Sequence, residues 1–480
     1  MRFKPSIPAV LLLATVLLSG CASRQYEASP NVAVADSACR DAFHDWQQQV
    51  EAGNHFDAQT WSPEGFPYLR VNRLLASFAV DKLAQPQQEA WLERAQGLAI
   101  TAWEYEAQSM GAEARHRLPE LQRCGEAAMA RLLSGDSDKQ WQRLAQAAQV
   151  PASYNQLGRI LGGYPAVAPV VRWRAGVVMG ELMDDFETYQ PAHPWHVYQP
   201  QAPDLGIDVA ELIKKAAARS PLGIPVFQPD ERAGLLARYA PTWAVETGGA
   251  YDIPGRPGRD VGGEIRFQSE PVVFTKVAYT RFGDRVLPQL VYTLWFSERP
   301  PETTFDIVAG ELDGLVWRVT LGQRGRPLIY DAIHPCGCYH TWVLAPDGLK
   351  PRGPVDYWEE PLWIAGTAPP TDRGLVVFLS SLTHQLKGAA TVLPEDVSKA
   401  RSYVMEPYDS LRGPSFAGER LFGEDGMVAG TERPERFLLW PTGVPSAGAM
   451  RQWGNHATAF VGTRHFDDPW LLQEYFWLPE

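Results

Sequence analysis

The periodicity of the apolar residues changes once along this chain, and no other feature constrains its fold as much. Up to about residue 220 apolar positions recur at three- and four-residue spacing, the repeat that paints one face of an α-helix. In "PQQEAWLERAQGLAITAWEYEAQSM" Leu92, Ala95, Ala99 and Trp103 form such a face, and Pro86 suits a first helical turn. Trp141, Leu144, Ala145 and Ala148 repeat the pattern, as does "IDVAELIKKAAARS", with Asp208 as N-cap. Short links between such segments argue for antiparallel helix packing. From about residue 240 the residues turn β-branched and aromatic. "PVVFTKVAYTRFGDRVLPQLVYTLWF" reads as a hairpin turning at Gly283-Asp284. "ELDGLVWRVTLGQRGRPLIYDAI" adds two or three strands, with turns at Asp313-Gly314 and at Gly322 to Gly325. The runs "GLVVFLS", "RFLLWP", "HATAFVG" and "LLQEYFWL" read as later strands. The expected fold class is α+β: a helical N-terminal domain, 37–225, then an antiparallel β-rich domain, 226–480, sandwich- or barrel-like.

Two segments stand apart. The proline-rich "YQPAHPWHVYQPQAPDLG", 189–206, is expected to be an irregular linker that exposes His193 and His196. "PAVAPVVRWRAGVVMGEL" carries Arg172 and Arg174 at its middle, which lipid tolerates poorly, and reads as a core helix.

The chain begins "MRFKPSIPAVLLLATVLLSGCAS". Arg2 and Lys4 precede a ten-residue apolar run, Ala9 to Leu18, too short to span a bilayer at about 20 residues. Leu18-Ser19-Gly20-Cys21 then resembles the lipobox of bacterial lipoproteins. The resemblance covers this segment alone. It implies that 1–20 is a signal peptide, that Cys21 is lipidated, and that 21–36 is a tether. Ala22, rather than Asp, after Cys21 implies the outer membrane. Removing 1–20 takes the formal charge from -12 to -14. So acidic a chain, without a basic run, is not expected to bind nucleic acid or anionic lipid by bulk electrostatics.

Four cysteines remain after Cys21. Cys39 and Cys124 lie in the helical part and are expected to pair, since the compartment is oxidising. The other two sit in "YDAIHPCGCYHTW", where His334, Cys336, Cys338 and His340 alternate. On a straight strand the four share one face, with Cα atoms of same-face neighbours roughly 6.5–7 Å apart. Four such side chains cannot converge on one tetrahedral ion unless Pro335-Cys336-Gly337 bends the chain, or another segment helps. His384, His456 and His465 are possible further ligands, and Asp331 could orient an imidazole from behind. Three readings stay open: a transition-metal site for Zn, Cu or Fe; a Cys336–Cys338 disulfide, structural or redox; or a filled, buried turn. "CGCY" lacks one residue of the papain-like C-G-x-C-W/Y signature, and its strand-like context does not suit that chemistry.

No Walker loop, G-x-S-x-G, H-E-x-x-H or dinucleotide fingerprint is present, and catalytic residues stay unassigned. Glu359 and Glu360 lie among aromatic residues in "DYWEEPLW", as in sugar-binding clefts. The sequence therefore supports a lipid-anchored envelope protein, with two functions in view. The first is a metal-binding domain centred on 334–340. The second is a non-enzymatic module that binds a protein or glycan partner.

Overall fold

The computed structural model describes residues 36–135, 138–186, 188–201 and 206–479. The signal peptide, Cys21 and nearly all of the tether lie outside them. The architecture is mixed α and β, helices first and then a large curled sheet.

Seven helices matter here: α1 (Ser37–Ala52), α2 (Gln85–Met110), α3 (Ala112–Ser134), α4 (Asp138–Ala147), α5 (Tyr164–Asp185), α6 (Val209–Ala217) and α7 (Pro229–Arg238). The apolar stripe of α2 is buried as its spacing requires: Leu92, Ala95, Ala99 and Trp103 are all shielded. They join Trp46, Tyr68, Trp91, Leu121 and Leu144 in one core. Asp208 caps α6 by accepting from the Glu211 N–H at 3.1 Å. Cys39 on α1 and Cys124 on α3 form the expected disulfide, with Cα atoms 5.5 Å apart. Glu106, a charge inside α2, is fully buried. It accepts from Trp46 Nε1 (3.0 Å), Arg70 Nη2 (2.8 Å) and the Asp57 N–H (3.2 Å), which offset only part of its desolvation, so burial still raises its pKa.

Eleven strands form the main sheet: β1 (Trp195–Pro200), β2 (Thr242–Glu246), β3 (Val272–Phe282), β4 (Arg285–Arg299), β5 (Gly310–Leu321), β6 (Pro327–Ile333), β7 (Thr341–Leu344), β8 (Trp363–Thr367), β9 (Val376–Leu379), β10 (Leu386–Ala390) and β11 (Val397–Pro407). Their order is β8-β7-β6-β5-β4-β3-β11-β1-β2-β9-β10. The expectation of an antiparallel sheet holds only in part, because β8–β7, β3–β11, β11–β1 and β2–β9 are parallel. Strand β11 joins two sub-sheets end to end. Residues 397–403 pair with β1, and 404–407 pair with β3.

Side chains alternate across the sheet with period two. Tyr292, Leu294, Phe296, Leu315, Trp317 and Tyr330 fill the inside of the curl with Trp243, Val377 and Leu386. Val291, Trp295, Val316 and Ile333 face outward. There Tyr408, Leu421, Met450 and Phe466 of the C-terminal segment cover them. Both faces are buried, which is why these strands read as nearly continuous apolar runs.

Gly283-Asp284 is the two-residue turn expected, with Gly283 at φ 60 and Phe282 opposite Arg285. Four expectations need correction. Residues 195–200 of the supposed linker form β1, because a strand needs no N–H from the prolines that flank its interior. Asp313-Gly314 is not a turn and lies inside β5. A Cβ on Gly314 would stand 2.2 Å from the Leu294 carbonyl oxygen, so glycine serves close strand approach. "RFLLWP" and most of "LLQEYFWL" are short helices, and "HATAFVG" is irregular, because this C-terminal chain covers the sheet instead of extending it. Finally, α5 is a helix but not a core one: only Ala168, Met179 and Leu182 are buried. No helix among the described residues is long and apolar enough to cross a membrane.

Candidate functional site

Residues 334–340 form a tight turn between β6 and β7. The His334 N–H donates to the Cys338 carbonyl (3.0 Å), and the Gly337 N–H to the His334 carbonyl (2.8 Å). Gly337 stands at φ 92, and a Cβ there would lie 2.4 Å from the Ala457 carbonyl oxygen. The turn removes the shared strand face on which four donors would have aligned.

The two histidines turn to different carboxylates. His334 Nδ1 donates to Asp313 Oδ1 (3.0 Å), and His384 Nδ1 donates to Asp313 Oδ2 (2.8 Å). His384 Nε2 lies 3.2 Å from Asp252 Oδ1. The result is a buried chain, His334–Asp313–His384–Asp252, each side chain at most 2% exposed. Burial alone would lower the pKa of His384, but its bonds to Asp252 and Asp313 raise it above the ordinary histidine value. With a carboxylate near each nitrogen, the protonated form of the ring is more favoured than in an ordinary histidine. It stacks on Phe296 at 3.8 Å between centroids, 8° from parallel.

His340 belongs to a second network. Its Nε2 donates to Asp331 Oδ2 (2.9 Å), and Arg318 donates to both oxygens of Asp331 (2.9 and 2.5 Å). Asp331 thus supports an imidazole, as its position beside the motif suggested. Burial pushes His340 down to about 4, so it is neutral at pH 7.

Cys336 and Cys338 are free thiols, the first buried and the second partly so. The Cys338 N–H donates to Cys336 Sγ at 3.4 Å. A side-chain bond to Cys336, then burial, pushes the Cys338 thiol well above its usual value, so its thiolate is scarce at neutral pH. Among the described residues, no three His, Cys, Asp or Glu side chains stand as a set able to hold a metal ion. Within the motif the two histidines bond to different carboxylates, while the two cysteine side chains are hydrogen-bonded neighbours.

Of the further candidate ligands, His384 is joined to the motif through Asp313, and His456 through a hydrogen bond to the Pro335 backbone. His465 accepts from the Ser153 N–H (2.9 Å), and burial lowers it to about 3. His456 lies edge-on to Trp453 and Phe466 and is lowered by burial to about 4.

The residues missed by sequence reasoning line a polar pocket of about 300 Å³ beside His384. Tyr189, Arg299, Ser381, Thr383, Gln385 and Lys387 contribute to it. Its wall is pinned from beneath. Asp252 accepts from Ser381 Oγ (2.8 Å) and from the Leu382 N–H (2.9 Å). Buried Glu246 accepts from the Tyr189 hydroxyl and from the N–H groups of Ala192, His193 and Ser381 (2.7, 2.9 and 3.1 Å). Arg299 hydrogen-bonds Tyr339, which connects the pocket to the 334–340 turn. Leu312, Tyr339, Leu382 and His384, at φ 52, 57, 64 and 47, all hold left-handed backbone around this network. Such conformations cost roughly 1–3 kcal/mol each and cluster at functional sites. A second cleft, about 430 Å³, opens between α5 and β8 and is lined by Arg172, Trp173, Tyr357 and Trp363.

No protein-family profile, no curated protein and no solved structure matches this chain.

Proposed function

We propose that this chain is a lipid-anchored protein of the bacterial outer membrane, and that it is a non-enzymatic module holding one end of a glycan in the Tyr189–Lys387 pocket. The observation that carries this reading is a pocket rich in hydroxyl and amide groups, set on a loop with left-handed backbone at Leu382 and His384 and anchored by the buried His384–Asp313 bond. About 300 Å³ suits one sugar ring and excludes a folded partner. Hydroxyls, an amide, Arg299, Glu302 and Lys387 supply both donors and acceptors, which polyols require. His384 beneath the pocket is fully buried, with Nδ1 bonded to Asp313 and Nε2 3.2 Å from Asp252, which favours binding over catalysis. Saturation-transfer NMR with a panel of neutral and acidic mono- to tetrasaccharides tests it. Gln385→Ala and Lys387→Ala are expected to weaken a positive ligand at least tenfold without loss of fold. Binding unchanged in both, or no saccharide bound at all, rejects the reading.

The second reading is a soft metal, Zn, Cu or Fe, on the Cys336–Cys338 pair, supported by the adjacency of the two sulfurs. Metal content after purification without added metal, together with a thiol count under denaturing, non-reducing conditions, decides it. Two free thiols with bound metal favour the ion. No metal and no free thiol favour a disulfide between them.

A further inference from the structure

Helix α5 is apolar over most of its first five turns apart from Arg172 and Arg174, yet most of it lies at the surface. A helix of that composition normally sits in a core or against lipid. The elements around it are apolar too. Leu157, Ile160, Val170, Trp173, Phe437 and Leu438 are each more than half exposed. Their segments pack into one surface. Arg159 Nε donates to the Thr442 carbonyl (2.7 Å), the Asn155 N–H donates to the Gly443 carbonyl (2.6 Å), and Gly162 abuts Pro441. On the other flank Arg172 lies over the Tyr357 ring, 5.6 Å from its centroid, and Gly176 faces Trp363. Exposed apolar residues elsewhere, such as Val261, Phe305 with Ile307, and Val392 with Leu393, sit singly or in pairs on separate loops, which is ordinary.

Charge adds an independent observation. Residues 151–180 contain Arg159, Arg172 and Arg174 and not one Asp or Glu, in a chain with 56 acidic residues in 480, and the carboxylates of α5, Glu181, Asp184 and Asp185, are confined to its C-terminal end. Asp356, exposed beside Tyr357, stands at the margin, where its carbonyl accepts from Arg172 (3.4 Å). Exposed Trp and Tyr, aliphatic side chains and arginines, with carboxylates only at the margins, are the composition of a membrane interface. A two-fold pairing of this face with a second copy would bring the same arginines near one another without partners.

We propose that this face docks on the anionic bilayer surface to which the chain is tethered. The proposal rests on the lipid-anchor reading for its target. The sixteen residues from Cys21 to Asp36 reach at most about 55 Å, and a chain of this size has a radius of gyration of about 22 Å. The tether therefore lets the molecule lie on one flank.

The test uses the mature chain from residue 21 carrying Cys21→Ser, so that no acyl chain contributes. It is expected to co-float with vesicles of phosphatidylethanolamine and phosphatidylglycerol, less so as salt rises. The triple substitution Ile160→Asp, Trp173→Asp, Leu438→Asp should cut the partition at least tenfold while leaving circular dichroism and melting unchanged. Equal flotation of the two proteins, or none by either, overturns the docking. So does a concentration-dependent dimer that the triple substitution abolishes, which would assign the face to a second copy. Acyl labelling of the unsubstituted chain reads the anchor separately: an unlabelled Cys21 overturns the anchor alone, and flotation still judges the face.

Discussion

His384 shows how one residue sets the behaviour of its surroundings. It lies buried between Asp252 and Asp313, and its pKa is raised by those carboxylates. Its contribution to stability is therefore complete below its unfolded value near 6.5 and is lost as pH rises through the raised folded value. Loss of the proton leaves two buried carboxylates facing a neutral ring. Amide exchange across 380–385, corrected for intrinsic rates, should accelerate by roughly tenfold per pKa unit of the upward shift on passing from pH 6 to pH 9. His384→Gln should abolish that dependence. His340, His456 and His465 work with the opposite sign. They are buried neutral, at about 4, 4 and 3, so they withdraw stability as pH falls from 6.5 toward those values. A melting temperature that stays flat between pH 6.5 and 4.5 would contradict this assignment.

At the scale of the element, the disulfide between α1 and α3 closes a loop of separation 85. In the chain-entropy account such a cross-link stabilises by about 4–5 kcal/mol. Cys39→Ser with Cys124→Ser should lower the urea midpoint accordingly, and an unchanged midpoint would show that the bridge is idle. This pair was legible in the sequence because the compartment and an even count after Cys21 pointed to it. The stripe of α2, the cap at Asp208 and the turn at Gly283-Asp284 were legible for a similar reason, since each follows from local spacing and local turn chemistry. The polar pocket was not. Its residues come from 189, 299 and 380–387, and nothing in the local pattern of "SSLTHQLK" announces left-handed backbone at Leu382 and His384. Asp313 was read as a turn because Asp-Gly is usually one. Here Gly314 permits close strand approach, while its neighbour supplies a buried carboxylate. The C-terminal segment misled differently: its apolar residues are needed to cover a sheet face, and covering requires no periodicity.

Across the whole molecule, helices and sheet are joined by buried charge as well as by apolar contact. Asp57 accepts from Arg412 Nη2 at 2.7 Å and from Gln452 Nε2 at 3.1 Å, with Asp57 and Arg412 side chains 3% and 2% exposed. Arg73 meets Asp467 at 3.1 Å across the same boundary. Breaking a buried pair by removing one partner costs about 3–5 kcal/mol, because the other charge is left unpaired. Asp57→Ala should therefore destabilise both parts together, seen as one cooperative transition shifted downward by tryptophan fluorescence and by far-ultraviolet dichroism alike. Two separated transitions would show that the parts unfold independently.

Strand β11 has a consequence for biogenesis. It is the last piece of the eleven to be made, and it alone stitches the two sub-sheets into one. Until residue 407 has emerged, β1 and β3 each offer raw backbone that nothing yet answers. A nascent or exported chain thus carries two sticky rims for most of its passage, an invitation to wrong partners. Cells that make this protein must shield those rims until the closing strand arrives, and a truncation before Val397 should end in aggregates rather than in a smaller soluble product.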